Sequence, residues 1–345
     1  MDRSPKRHSP TAAAERRRVS GQTIFLAAVI AASAVVLTYI ALDTQGLAGD
    51  RPSRTTELTL AEIPFDGGQA YEYLDQICGL GPRPSGSVGM QKQQKLLADH
   101  FQKLGATVHL QEFPARHPQT GQTVPMANLV VEWHPERKNR VLLCAHYDTR
   151  PFPDRDPVNP QGTFIGANDG GSGVAVLMEM ARSMPALAGA VGVDFVLFDA
   201  EEFVFDDRDP YFVGSEFFSR TYITQPPPYR YRRAVLLDMV GDADLKIYQE
   251  RYSIGWRDTK PMVAEIWATA RRLGVKEFVA RRGMAVRDDH LMLHDVAKIP
   301  ACDLIDFDYP HWHTTRDVPE RCSAVSLAKV GWVVLEWLKV EVKKP

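Results

Sequence analysis

Apolar positions along this chain follow two alternating periods. SVGMQKQQKLLADHFQKLG (87–105) carries Leu96, Leu97, Phe101 and Leu104, with Ser87 as an N-cap and Gly105 as a stop, and predicts a helix. TVHLQEF (107–113) and MANLVVEW (126–133) read as strands. RVLLCAHYD (140–148) is another, entered through the polar turn HPERKN. SGVAVLMEMARSM (172–184) has apolar residues three and four apart and predicts a helix. A strand at 193–198, the apolar run AVLLDMV (234–240), a helix at about 261–273, a strand IPACDLIDF (299–307) and a closing helix AVSLAKVGWVVLEWL (324–338) complete the alternation. Strands separated by helices predict an α/β fold: a mixed, mainly parallel central sheet with helices on both faces.

The N-terminal region differs in kind. Residues 1–22 hold six Lys/Arg against two acids, and TIFLAAVIAASAVVLTYIAL (23–42) then runs without a charge. Twenty uncharged residues match a bilayer core as one helix, and the basic flank favours a cytoplasmic tail. A cleaved signal peptide has a shorter apolar region, about 7–15 residues, and no small-x-small cleavage site follows before Asp43. The expected organisation is a basic tail (1–22), a transmembrane anchor (23–42), a polar linker (43–59) and an extracytoplasmic catalytic domain (60–345).

The whole chain has 345 residues, enough to bury one large core or two modest ones, and its formal net charge of −2 makes no case for binding nucleic acid. Local basic runs, YRYRR (229–233) and ARRGMAVR (280–287), read as solvated faces. Of the four cysteines, Cys144 and Cys302 lie in strand-like runs and read as core residues; a bridge from Cys78 or Cys322 stays open.

Several predicted elements end in or lead to residues that could ligate a metal. RVLLCA ends in His146-Tyr147-Asp148, and the Gly-rich loop IGANDGGSG (165–173) offers Asp169. VDFVLF ends in Asp199-Ala200-Glu201-Glu202, and AVLLD ends in Asp238. The last strand leads through FDYPHWHTTRD to His311 and His313. Each has a plainer reading: Asp169 as a helix cap, His146 as a hydrogen-bonded core histidine, His311 as a loop residue. Together, at the carboxyl ends of α/β strands where ligands bind, they form an O/N donor set that Zn²⁺ accepts. A cation also resolves the adjacency of Glu201 and Glu202: one ligates, and the other stays free as a base.

The order HYD, GANDGGSG, DAEE, LLDMVG, DDH, WHT resembles the zinc-dependent aminopeptidase superfamily that also contains the glutaminyl cyclases. GLGPRPSGSVG (79–89) resembles its entry motif, and the likeness covers about residues 65–340. The resemblance implies Asp169, Glu202 and His313 as zinc ligands and Glu201 as acid/base. It places His146 and Asp238 where two-zinc aminopeptidases hold a second metal. Three features resemble the glutaminyl-peptide cyclotransferase branch. Asp288 in RDDH (287–290) stands where peptidases commonly have Ser. The insert FVFDDRDPYFVGS (203–215) follows the glutamates. Trp312 precedes His313, where cyclases wall the substrate pocket with Trp. The insert lacks the Trp of the animal enzymes and has Phe203, Phe205, Tyr211 and Phe212 instead; the animal enzymes' cysteine pair has no match.

The resemblance implies cyclisation of an N-terminal glutamine of a peptide or protein to pyroglutamate with loss of ammonia. One Zn²⁺ serves that reaction, with Glu201, Asp238 and Asp288 as catalytic residues. The alternative is an aminopeptidase with two co-catalytic zinc ions. A non-catalytic ectodomain on the same fold would have eroded ligand positions, and these are intact.

Overall fold

The computed structural model describes residues 58–344. The expected tail, anchor and most of the linker lie outside the described residues. Among those described, no helix is long and apolar enough to cross a membrane. Leu58 onward forms one compact unit.

The central sheet has six strands: β1 (Thr107–Arg116), β2 (Thr123–Trp133), β3 (Asn139–His146), β4 (Gly192–Phe198), β5 (Arg230–Asp238) and, after two short outlying strands, β8 (Ala301–Ile305). Their spatial order is β1-β2-β4-β3-β5-β8. The β1–β2 and β2–β4 pairs are antiparallel, while β3–β4, β3–β5 and β5–β8 are parallel. The mixed, mainly parallel sheet expected from the alternation is the one observed. The outliers β6 (Ile247–Gln249) and β7 (Phe278–Arg282) pair in parallel as a separate ribbon.

Period-two alternation divides the core. In β3, Val141, Leu143 and Ala145 join the larger apolar cluster, while Leu142 and Cys144 join a smaller one on the other face. The larger cluster is closed by α1 (Gly67–Cys78), α2 (Val88–Lys103), α3 (Gly173–Met180) and α8 (Ala324–Glu341), through residues such as Leu74, Leu97, Val176 and Val334. The smaller is closed by Phe218 of α4 (Val213–Thr224) and Leu293 of α7 (His290–Asp295). Helices therefore cover both faces. The remaining helices are α5 (Arg251–Gly255) and α6 (Lys260–Leu273). Ser87 caps α2 as expected, its side chain accepting from the Met90 N–H. Gly173 starts α3 with its Cα against the sheet: a Cβ there would lie 2.2 Å from the Leu237 carbonyl oxygen.

Asp194, the one acid inside the otherwise apolar β4, is fully buried and paired with the buried Arg140 of β3. The Arg140 Nε donates to Asp194 Oδ2 at 2.8 Å, and the Tyr231 hydroxyl donates to the same oxygen at 2.7 Å. Further guanidinium hydrogens reach the carbonyls of Trp133 and His134, so neither charge is left unpaired. The basic run 229–233 is thus only partly a solvated face: Tyr231 is buried, and Arg233 pairs with Glu265 and Glu341. All four cysteines are buried free thiols, which settles the question left open for Cys78 and Cys322.

Candidate active site

The parallel strands β3, β4 and β5 finish side by side, and their ends carry His146, Asp199-Ala200-Glu201-Glu202 and Asp238. The chain leaves them through left-handed residues. Ala200 has φ 57° and Met239 φ 46°, immediately before Glu201 and after Asp238, and His313 itself has φ 56°. Non-glycine residues in this region are strained and gather at functional sites. Ala200 turns the chain off the line of β4, and the Asp148 carboxylate then accepts from the Glu201 N–H at 3.1 Å and the Glu202 N–H at 3.0 Å. Held so, the two adjacent side chains diverge.

Glu202 points to His313, its Oε1 2.6 Å from Nε2, and receives the Arg150 N–H at 3.2 Å. Glu201 lies on the other side, its Oε2 3.8 Å from His146 Nδ1. Asp169 sits between the histidines, with Oδ1 3.2 Å from His146 Nε2 and Oδ2 3.6 Å from His313 Nε2. Its loop is set by Asp317, which accepts from the N–H groups of Asn168 (2.8 Å) and Asp169 (3.1 Å). Gly170 follows with φ 80°, where a Cβ would lie 2.4 Å from the Asp148 carbonyl oxygen. The capping reading of Asp169 does not hold: the residue before α3 is Ser172, and no side chain caps that helix.

Two groups of three buried or half-buried donors result, sharing Asp169: Asp169–Glu202–His313 and His146–Asp169–Asp238. In each, one donor atom per residue lies within 4.8 Å of the others. The set suits a divalent cation. Asp169 Oδ2 is buried without a hydrogen-bond partner, and the carboxylates crowd closer than their charges allow without a cation. His313 is oriented from behind by Asp154, 3.0 Å from its Nδ1, which Arg150 holds in turn at 2.8 Å.

The electrostatics separate the two glutamates. Burial drives the Glu201 carboxyl well above its ordinary range, with Glu202 and Asp288 adding to the rise and His146 opposing it. Burial acts on Glu202 as well, yet His313 and Arg150 hold it down at about 2. Asp169 is pushed up to about 6 by burial and by Glu202. Burial lowers His313, but Glu202 and Asp154 outweigh it and raise it to about 9. Asp288 is driven well above the carboxylate range by burial, Asp238 and Asp289.

Asp169, Glu201, Glu202, Asp238, Asp288, Trp312 and His313, all singled out from sequence, line one cavity of about 410 Å³. His146 contacts two of these lining residues, Asp169 and Asp238. The Trp312 ring lies 4.0 Å from that of His313 and 4.9 Å from Phe307. His311 belongs to no donor group among the described residues and turns to Tyr309, as its loop reading implied. Of the four insert aromatics, only Tyr211 and Phe212 line the cavity; Phe203 and Phe205 pack on His117 beside the β1–β2 hairpin. Sequence reasoning missed Arg150, Asp154 and Asp317, which act on the donor residues from loops without periodicity. It also missed His290 and Asp303, which form a third buried group with Asp288.

The Peptidase family M28 pattern matches residues 128–338, spanning β3, β4, β5, β8 and every donor just described. The chain belongs to peptidase family M28. Its fold is similar to that of a glutaminyl cyclase from Fimbriiglobus ruber, with a TM-score of 0.77 and 41% identity over 84% of this chain and 99% of that one. A Porphyromonas gingivalis glutaminyl cyclase is 32% identical with a TM-score of 0.76, over 81% of this chain and 100% of that one. A Zn-dependent exopeptidase from Parabacteroides distasonis is 32% identical with a TM-score of 0.74, over 82% of this chain and 100% of that one. The chain spans only about a third of the length of the first curated relatives it matches, 37% and 32%. The resemblance read from six motifs is thus borne out: within M28, glutaminyl cyclases and exopeptidases are this chain's structural relatives.

Proposed function

We propose that this M28 chain cyclises the N-terminal glutamine of peptides or proteins to pyroglutamate, releasing ammonia, with one zinc ion. The observation that carries the reading is the pairing of Asp288 with Glu201 in one cavity. Asp288 stands where the aminopeptidase pattern commonly has Ser, and burial raises both its carboxyl and that of Glu201 in the same cavity. The 41% identity to a glutaminyl cyclase across nearly the whole of that protein supports it.

Asp169, Glu202 and His313 would hold the ion, which when bound supplies Lewis-acid polarisation of the side-chain amide carbonyl. The rest is done by side chains. The substrate's α-amine attacks its own side-chain amide carbon, forming the lactam C–N bond. Glu201 takes the amine's proton and returns it to the departing amide nitrogen as the old C–N bond breaks, so ammonia leaves and the carboxylate is restored. A carboxyl raised toward neutrality suits both transfers. Asp238 and Asp288 steady the amine and the intermediate, and Trp312, Phe307 and Phe212 keep water from competing.

A specific observation favours a second reading, the two-zinc aminopeptidase: His146, Asp169 and Asp238 are already assembled. His146 lies 3.1 Å from Asp238 and 3.2 Å from Asp169. Burial opposes its charge, yet Asp238, Asp148 and Asp169 raise it well above the ordinary histidine range. As at His313, an ion bound there would displace a proton; the product formed separates the two readings. The test is ammonia release from a Gln-initiated peptide, and none from the same peptide with an acetylated amine. Release of free amino acid instead would establish the aminopeptidase.

Metal uptake should be proton-linked. His313 must be neutral to ligate, and its metal-free value of about 9 leaves it protonated at pH 7, so binding displaces a proton. Zinc affinity should therefore rise about tenfold per pH unit below 9, and more steeply below about 6, where Asp169 must also lose its proton. Calorimetric titration in buffers of different ionisation enthalpy reads the released protons directly; a pH-independent affinity would show that His313 is not a ligand.

A further inference from the structure

The cavity's charges divide by depth. Its interior acids face the amine and the metal, and Asp154 is neutralised by Arg150 and His313. The exposed lining residues that remain charged are Arg155, Arg287 and Asp207. Neither arginine has a carboxylate partner among the described residues. Arg155 is nevertheless fixed: its backbone N–H donates to the His313 carbonyl at 3.1 Å, and its guanidinium lies 4.2 Å from the Trp312 ring centroid. Trp312 is the wall beside His313, so a substrate whose first residue reaches His313 leaves the cavity past that stacked guanidinium. Arg287 stands one residue from Asp288, which pins it to the same mouth.

We propose that Arg155 and Arg287 make this enzyme selective for substrates with an acidic residue immediately after the N-terminal glutamine. The inference rests on the cyclase reading of the cavity. A guanidinium pre-ordered on an aromatic face loses less freedom on pairing and presents its fork to a carboxylate. Lys or Arg at that substrate position meets two like charges and a single opposing Asp207. Exposed pairs are individually weak, so attraction for Glu and repulsion of Lys should together give about a tenfold difference in kcat/KM.

The experiment measures kcat/KM on Gln-Glu-Ala and Gln-Lys-Ala peptides at low and high salt, for the wild type and for an Arg155→Glu/Arg287→Glu variant. The Glu peptide should be favoured about tenfold by the wild type, and the preference should shrink with salt and invert in the variant. An Arg155→Gln/Arg287→Gln variant, which keeps side-chain bulk without charge, should show no preference. Because each result is a ratio within one protein, a loss of overall activity does not mask it. Equal kcat/KM for both peptides, or a preference that survives the charge reversal, overturns this proposal alone. Failure to release ammonia from any Gln peptide overturns the cyclase reading and this inference with it.

Discussion

Glu201→Gln should leave a folded protein that still binds zinc and has lost about 10²–10⁴ of its turnover. The amide keeps the shape and hydrogen-bonding capacity of the side chain, and the Asp148 contacts that set its position are to backbone N–H groups that the substitution does not touch. What disappears is the carboxylate beside His146, placed in the cavity on the side away from His313. Steady-state kinetics together with metal analysis separates the two losses. A Glu201→Gln protein that loses its zinc would reverse the roles given to the adjacent glutamates.

The complementary result concerns the ligands. Glu202→Gln replaces a carboxylate held at about 2 by His313 and Arg150 with a neutral, weaker donor, and His313→Ala removes the nitrogen altogether. Both should abolish stoichiometric zinc and, with it, nearly all activity, whereas His311→Ala, two residues away, should do neither. His146→Ala should also leave zinc in place if one ion is used. Elemental analysis of the purified variants decides. Zinc retained at full occupancy by His313→Ala would exclude that donor set, and two zincs in the wild type, one lost with His146→Ala, would favour the aminopeptidase.

The fold was legible where burial imposed a pattern. The β3, β4 and β5 strands and the helices α2, α3, α6 and α8 have apolar periods that the sheet and its two faces demand, and their ends fell within a few residues of the expected positions. Helices α1 and α4 and the ribbon β6–β7 were not anticipated: α1 mixes polar residues into a narrow buried stripe, and β6 and β7 are too short to show a period. At the site, the first-line donors were readable because each terminates a strand or stands in a motif of fixed order. Arg150, Asp154 and Asp317 were not, since they reach the ligands across loops of 148–167 and 306–317 whose shape no local pattern encodes. Asp194 illustrates the opposite limit: its partner Arg140 is 54 residues away, and only the sheet order brings them together.

The central claim is that the substrate's own amine, rather than water, attacks the carbonyl. The most direct measurement is mass spectrometry of a Gln-initiated peptide after incubation with the full chain and zinc. The intact peptide less one ammonia, resistant to further change, is the expected product. A peptide shortened by its first residue, with free glutamine released, would contradict the account.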